Sequence, residues 1–424
     1  MNRPDIRRLP KRSDAQEAQV RLLDAVKSRK LLLEKVNLEQ ALGRTLANDV
    51  TSNINIPAYD KTFIDGYAVN PKDTTGASPA KPAVFKVVGK LFPVDNPNTA
   101  EVASGEAVYV ACGAPIPKGA SSTVKVEETR LNGDKIEVVR EIKSGEGIIP
   151  FGDDVKQGAL LLKRGQILRP QDIGLLASIG MTEVEVFKKP TVAILSGGDE
   201  LIKQSQIDTK KIANNYALVV AGLASELGAV SKVKGIMPDA LDKVKTKISE
   251  ALDDADIVIT IGGTSVGMKD FVPDAINFLG KPGVVVQGIS LRPGAVSGFG
   301  IVDSKPVIML PGHIGSCIAG FYIFAAPLIR KYCGLEGDGL QPCLTVELSE
   351  AVDSGPQFRF LLLHLKRAGD RLLAEQVEGG SSALTTIVKS NGYSIIPPHT
   401  NLEKGSCVQV CLFGKLELAQ IYYV

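Results

Sequence analysis

From Thr191 onward the chain alternates short apolar strands with helices, and this rhythm constrains the fold more than any other feature. TVAILSGG reads as a strand ending in a glycine pair, NNYALVVAGLASELGA as a helix and SKVKGIM as a strand. LDKVKTKISEALDDA reads as a helix, and DIVITIGGTSVG as a strand entering a glycine-rich turn. PVIMLPG is a further strand, followed by the apolar helix SCIAGFYIFAAPLIRKY. Alternation of this kind predicts an α/β domain with a mostly parallel sheet covered by helices, over residues 190–335. Ligands of such sheets bind outside the carboxyl ends of the strands.

The rest of the chain has a different texture. Residues 14–28 carry helical periodicity, and VNLEQALGRTLAND reads as a second helix. Residues 51–145 read as short strands punctuated by Gly and Pro, a β-rich insertion. Residues 146–189 hold a helix opened by Pro170 and closed at Gly180, and are expected to join residues 1–50 in an N-terminal mixed domain. Residues 336–424 return to alternating strands, a C-terminal β domain of barrel-like character. Four domains fit a chain of 424 residues.

Composition excludes several classes. A net charge of +2 argues against a dedicated nucleic-acid binder. No uninterrupted apolar run approaches the roughly 20 residues of a membrane span, and the polar start MNRPDIRRLPKRSDAQEAQ lacks the apolar core of a signal peptide. The six cysteines show no CxxC spacing. Cys407 and Cys411, on one strand, would stand about 13 Å apart, too far to share a metal. Scattered thiols of this kind predict buried apolar roles in a reducing compartment, and hence a soluble cytoplasmic protein without membrane or nucleic-acid partners. His313, His364 and His399 are too dispersed for a histidine zinc site.

Three strand-end loops carry the chemistry: SGGDEL with Ser196, Gly197, Gly198, Asp199 and Glu200; GGTSVGMKD with Gly262, Gly263, Ser265 and Asp270; and PGHIGS with Pro311, Gly312, His313 and Ser316. Small residues let backbone N–H groups approach a phosphate or oxyanion. Carboxylates beside such a cradle hold a divalent cation that bridges to phosphate oxygens, and Asp239, after GIM, is placed to join Glu200 and Asp270. Asp60 and Asp65 in PAYDKTFIDGYAV form a second polar patch.

The order of these pieces resembles the MoeA family, whose eukaryotic relative is the gephyrin E domain. The resemblance runs through IPAYDKTFIDGYAV, VACGAPIPKGASSTVKVEE, GDDVKQGALL, ILSGGDEL, IGGTSVGMKDF, LRPG, the MLPG strand end and GSSALTTIVKSNGYSIIP. It implies a MogA-like central α/β domain and a molybdenum cofactor enzyme. That enzyme would insert molybdate into adenylylated molybdopterin, release AMP and use a cation such as Mg2+. It further implies a homodimer whose site combines one subunit's α/β domain with the other's β-rich insertion, and is compatible with a molybdopterin adenylyltransferase-type partner. Matched position by position, Asp65, Glu200, Asp239 and Asp270 take the acidic roles, the last three holding the cation. Asp154 matches the acidic turn, and Pro311 and Ser316 bound the third loop. The pterin phosphate and nucleotide fall to Gly262, Gly263, Ser265 and residues 311–316, and the oxyanion to Arg292, beside Pro293.

The chain also departs from the family pattern. Lys61 replaces a small amide and Cys112 a threonine. Of three lysine positions, one is Gly288, one Arg292 and one Ala295; His313, Ile314 and Gly315 fill the middle of the third loop. Arg292 can still bind an oxyanion bidentately. The loss of proline at Ile314, with Gly315 after it, predicts a looser loop. His313 is open to two roles, anion donor or helix cap. These departures leave a second reading, a molybdopterin-binding carrier or scaffold without turnover, and no residue chooses molybdate over tungstate.

Overall fold

The computed structural model describes residues 11–203, 211–265, 267, 269–335 and 343–413. The chain forms two compact units. One holds the residues up to Ala47, Gly165–Leu168 and everything from Val184 onward; the other holds Asn48–Arg164 and Arg169–Glu183.

The first unit is built on a six-stranded sheet in the order β2-β1-β3-β6-β5-β4. Its strands are β1 (Thr191–Gly197), β2 (Val230–Met237), β3 (Ile257–Ile261), β4 (Pro282–Gln287), β5 (Gly298–Val302) and β6 (Lys305–Leu310). The pairs β1–β2, β1–β3 and β3–β6 are parallel, while β5 runs antiparallel to both β6 and β4. The strand rhythm thus predicts the parallel half, and the antiparallel edge is an addition. Every residue of β3, IVITI, is buried, because helices cover both faces. Residues of α1 (Tyr216–Glu226) and α4 (Ile314–Tyr332) pack with Ile194, Ile257 and Ile259 on one side. Those of α2 (Leu241–Asp254) and α3 (Val272–Leu279) pack with Ala193, Leu195 and Val258 on the other. By length and composition α4 could cross a membrane, but 78% of its apolar stretch is buried in the fold, which makes it a core helix.

A closed five-stranded barrel follows. Its strands are Cys343–Leu348, Phe358–Ala368, Arg371–Gln376, Gly392–Ile396 and Cys407–Leu412, closed by pairing of Phe358–Ala368 with Gly392–Ile396. Tyr322 of α4 packs on the barrel residues Phe360, Tyr393 and Phe413, which fixes barrel against sheet. A two-residue strand, Leu291–Arg292, adds to the barrel in parallel, with Arg292 in register with Arg359. Cys343 and Cys411, register partners on neighbouring strands, form a disulfide, while Cys112 and Cys407 are exposed. The expectation of buried, reduced cysteines therefore holds only for Cys317 and Cys333, whose thiols burial pushes up to about 12 and about 11.

The expected second helix does not form. Leu33–Asn37 is a strand paired with Glu183–Phe187, followed by the short turn Leu38–Gln40. Gly43 lies at φ 72, and the N–H groups of Leu46 and Ala47 donate to the carbonyls of Gln166 and Glu185. Backbone partners distant in sequence outweigh local helical spacing here. The first helix, Ala15–Ala25, does form, capped by the Asp14 carboxylate, which accepts from the N–H groups of Gln16 and Glu17.

The second unit contains a six-stranded sheet in the order Ser122–Lys125, Gly66–Val69, Glu106–Val110, Ala83–Leu91, Lys135–Val138, Thr129–Asn132. The turn-rich texture of residues 51–145 reflects these short strands. The helix Pro170–Ser178 belongs to this unit.

Candidate active site

The chain leaves β1 to build β2 on one side of the sheet, then crosses to β3 on the other side of β1. The carboxyl ends of β1 and β3 therefore splay apart at a switch in strand order, which opens a crevice. A cavity of about 760 Å³ lies there. Ser196, Gly197 and Glu200 line it from the first loop, Gly262, Gly263, Ser265 and Asp270 from the second, and Pro311, Gly312, His313 and Ser316 from the third. The three loops that the sequence singled out converge on one space.

Local geometry explains the small residues. Gly198 sits at φ 138, and a Cβ there would overlap the Glu200 carboxylate, so only glycine lets the acid fold back over the strand end. The N–H of Gly262 donates to the carbonyl of Leu310 at 2.9 Å, tying the second loop to the third. Asp270 accepts from the N–H of Gly267 at 2.7 Å, which orients its carboxylate. His313 occupies the cap position of α4, but its side chain makes no capping hydrogen bond; it is exposed and lines the cavity. Of its two open roles, capping is not the one adopted.

Asp239 is placed differently from Glu200 and Asp270. Its carboxylate lies 3.3 Å from the Lys269 ammonium, which also stands 3.9 Å from Asp199, and it does not line the cavity. Among the described residues no group of three or more acidic, histidine or cysteine side chains is arranged to hold a metal. Of the three residues expected to hold the cation, Glu200 and Asp270 line the cavity as a pair and Asp239 does not. A Mg2+ ion fits such a pair, since it is commonly held by one or two carboxylates together with substrate phosphates and water.

Arg292 and Pro293 line a second cavity of about 590 Å³, bounded mainly by the barrel. Arg359 lines it too, held by hydrogen bonds to the Asp353 carbonyl at 2.7 Å and the Gln376 side chain at 3.0 Å. Register alignment brings both guanidinium-bearing residues to one place. The third loop is not loosened by its substitutions: Ile314 is fully buried, and the N–H of Gly315 donates to the Ser381 carbonyl at 2.8 Å. Asp65 belongs to the other unit, is exposed, and accepts from the N–H of Cys112 at 3.0 Å.

Sequence reasoning missed several cavity residues. Asn214 is buried and accepts from the Ser196 hydroxyl at 2.7 Å; Asn215 and Tyr216 follow it along the wall. The short parallel pair Leu201–Ile202 with Ile212–Ala213 returns the chain to the site. The available signal was the NNY that opens α1. The Tyr216 hydroxyl donates to the Ser382 carbonyl at 3.3 Å, and burial, then the neighbouring Cys317, raises its phenol above the ordinary value.

Comparison with known proteins agrees with this architecture. Residues 13–180 match the MoeA N-terminal region (domain I and II), 193–331 a probable molybdopterin binding domain and 345–413 the MoeA C-terminal region (domain IV). The molybdopterin molybdenumtransferase of Bacillus subtilis is 33% identical over 386 residues, covering 89% of each chain. That of Staphylococcus aureus strain COL is 34% identical over 300 residues, covering 70% of this chain and 71% of that one. The crystal structure of a Pyrococcus molybdopterin biosynthesis MoeA protein superimposes with a TM-score of 0.83 at 31% identity, covering 96% of this chain and all of that one. The α/β domain with its strand-end cavity, the inserted sheet and the closed barrel, together with these matches along most of the length, make the chain a member of the MoeA family.

Proposed function

We propose that this chain is a molybdopterin molybdenumtransferase of molybdenum cofactor biosynthesis, inserting the metal of molybdate into adenylylated molybdopterin with loss of AMP. The curated relatives above carry that transferase name. The observation that carries the reading is the convergence of three strand-end loops on one cavity, with two carboxylates and an exposed imidazole at its wall. A large cavity suits a nucleotide–pterin substrate, and a smaller one with Arg292 and Arg359 suits a tetrahedral oxyanion.

In this reading the backbone of Gly262–Ser265 and the 311–316 loop hold phosphate oxygens, with His313 as a further donor. Glu200 and Asp270 would hold Mg2+, which supplies charge neutralisation on the phosphates. The Lys269–Asp239 ion pair braces the loops after β2 and β3 from outside the cavity. Water attacks the adenylyl anhydride and AMP leaves, while the two dithiol sulfurs bind the metal and displace two molybdate oxygens, which depart as water with the thiol protons and those released by the hydrolysis. Catalysis is then chiefly positioning and charge stabilisation. Assembly as a homodimer, with Asp65 of a second subunit completing the site, belongs to this proposal; a fully active monomer in sedimentation and assay would refute that part.

The test is AMP release from adenylylated molybdopterin by the purified protein with magnesium, given molybdate or tungstate in parallel. Oxyanion-dependent release with metallated product is expected. Tight binding of both ligands without release would instead support the carrier or scaffold reading, for which the lysine positions occupied by Gly288 and Ala295 are the motive.

A further inference from the structure

The larger cavity carries acidic groups at its wall without basic ones to match. Glu200 and Asp270 line it, and no lysine or arginine stands among its described lining residues. A phosphate entering alone would meet two carboxylates. Lys269 directly precedes Asp270 in the chain but does not line the cavity. Its ammonium lies 3.3 Å from the Asp239 carboxylate and 3.9 Å from that of Asp199. The N–H of Asp239 also donates to the Asp199 carboxylate at 3.2 Å. Asp199, Asp239 and Lys269 follow β1, β2 and β3, which are neighbours in the sheet. Asp199 and Asp239 thus share one ammonium outside the cavity, while Glu200 and Asp270 stand at its wall.

We propose that Lys269 is a fixed counter-ion that keeps Asp199 and Asp239 out of the cation site, so that the Glu200–Asp270 pair takes up a divalent cation and a phosphate group as one unit rather than in succession. This rests on the transferase reading above for the presence of a phosphate in the cavity. The physical reason is charge. Four carboxylates acting together would bind a divalent cation without substrate. Two of them, beside a protein ammonium, leave most of the ion's coordination to water and phosphate oxygens. The phosphate in turn meets no lysine or arginine among the described wall residues, and the ion that arrives with it neutralises its charge. Each ligand therefore raises the affinity of the other by the same factor. Lys269 is a positioning residue in this scheme, acting through the carboxylates it pairs with.

The experiment titrates the purified full chain with Mn2+ alone, with AMP alone, and with each while the other is saturating. Free Mn2+ is counted by its paramagnetic resonance, and AMP binding is read by calorimetry. In wild type each ligand is expected to tighten the other about tenfold; independent binding of the two would overturn the proposal. Two variants then break the same ion pair with opposite changes of charge. Lys269→Met should tighten Mn2+ alone about fivefold at low salt, because a like charge is removed from beside the ion. Asp239→Asn should weaken it about threefold, because the ammonium is left less neutralised. The first effect should shrink as salt rises, the Lys269 side chain being 71% exposed. A purely structural brace would move both variants the same way, and Mn2+ binding that weakens or stays level in Lys269→Met refutes the counter-ion. The AMP-release assay tests the transferase reading separately. Coupled binding without release fails that reading and leaves the proposal standing. Release by a protein that binds Mn2+ and AMP independently upholds the reading and refutes the proposal.

Discussion

The two cavities differ in how they are made. The larger is walled mainly by short contiguous motifs, each at the end of one of the mutually parallel strands β1, β3 and β6. The smaller is assembled by tertiary pairing: Arg292 arrives on a two-residue strand, and Arg359 on a barrel strand distant in sequence. The first kind of site follows from the topology of the sheet and tolerates few residue types. The second depends on one ladder and can change its cations without changing its frame.

The comparison is broken most severely by removing a carboxylate from the larger cavity. Asp270→Asn should reduce AMP release by about 10²–10³-fold, while the tungstate Kd measured by calorimetry stays the same. Loss of tungstate binding in that variant would merge the two cavities into one site. Arg359→Met is the converse. It should weaken tungstate by about 10- to 100-fold, the weight of a charged hydrogen bond, with AMP affinity unaltered. Parallel loss of AMP binding would show that barrel and sheet cannot be separated.

The smallest effect lies outside both cavities. Arg140 in the second unit pairs with Glu146 and Glu128, and its side-chain hydrogen bond holds the Glu146 carboxyl below the usual range. A depressed acid contributes stability above its unfolded pKa and loses it as pH falls through the folded value. Arg140→Gln should therefore cost about 1 kcal/mol or less at neutral pH, the pair being partly exposed. In urea unfolding the difference from wild type should shrink as pH drops below the carboxylate range, with tungstate and AMP binding untouched. A difference that persisted in acid would assign the stabilisation to packing instead.

Much of this was legible beforehand. The β1–α1–β2–α2–β3 rhythm is written in runs such as IVITI, because a strand covered on both faces must be apolar throughout. The glycine pairs after β1 and β3 were legible because backbone close to a ligand, or folded at positive φ, admits little else. The stretch VNLEQALGRTLAND misled, since its apolar spacing suits a helix while its hydrogen-bond partners lie more than a hundred residues away. Asp239 was grouped with Glu200 and Asp270 because all three follow strands, and no pattern in the chain indicates that Lys269 takes up its charge.

The sequence by itself determined the family and the strand-end loops with the groups they carry to the larger cavity, since each is written in a short contiguous motif. Tertiary structure alone decided that two carboxylates rather than three share that cavity, that Arg292 stands beside Arg359, that Cys343 meets Cys411, and that Gly315 seats Ser381. These are contacts between segments far apart in the chain. Their formation depends on how sheet and barrel pack, for which no local propensity codes.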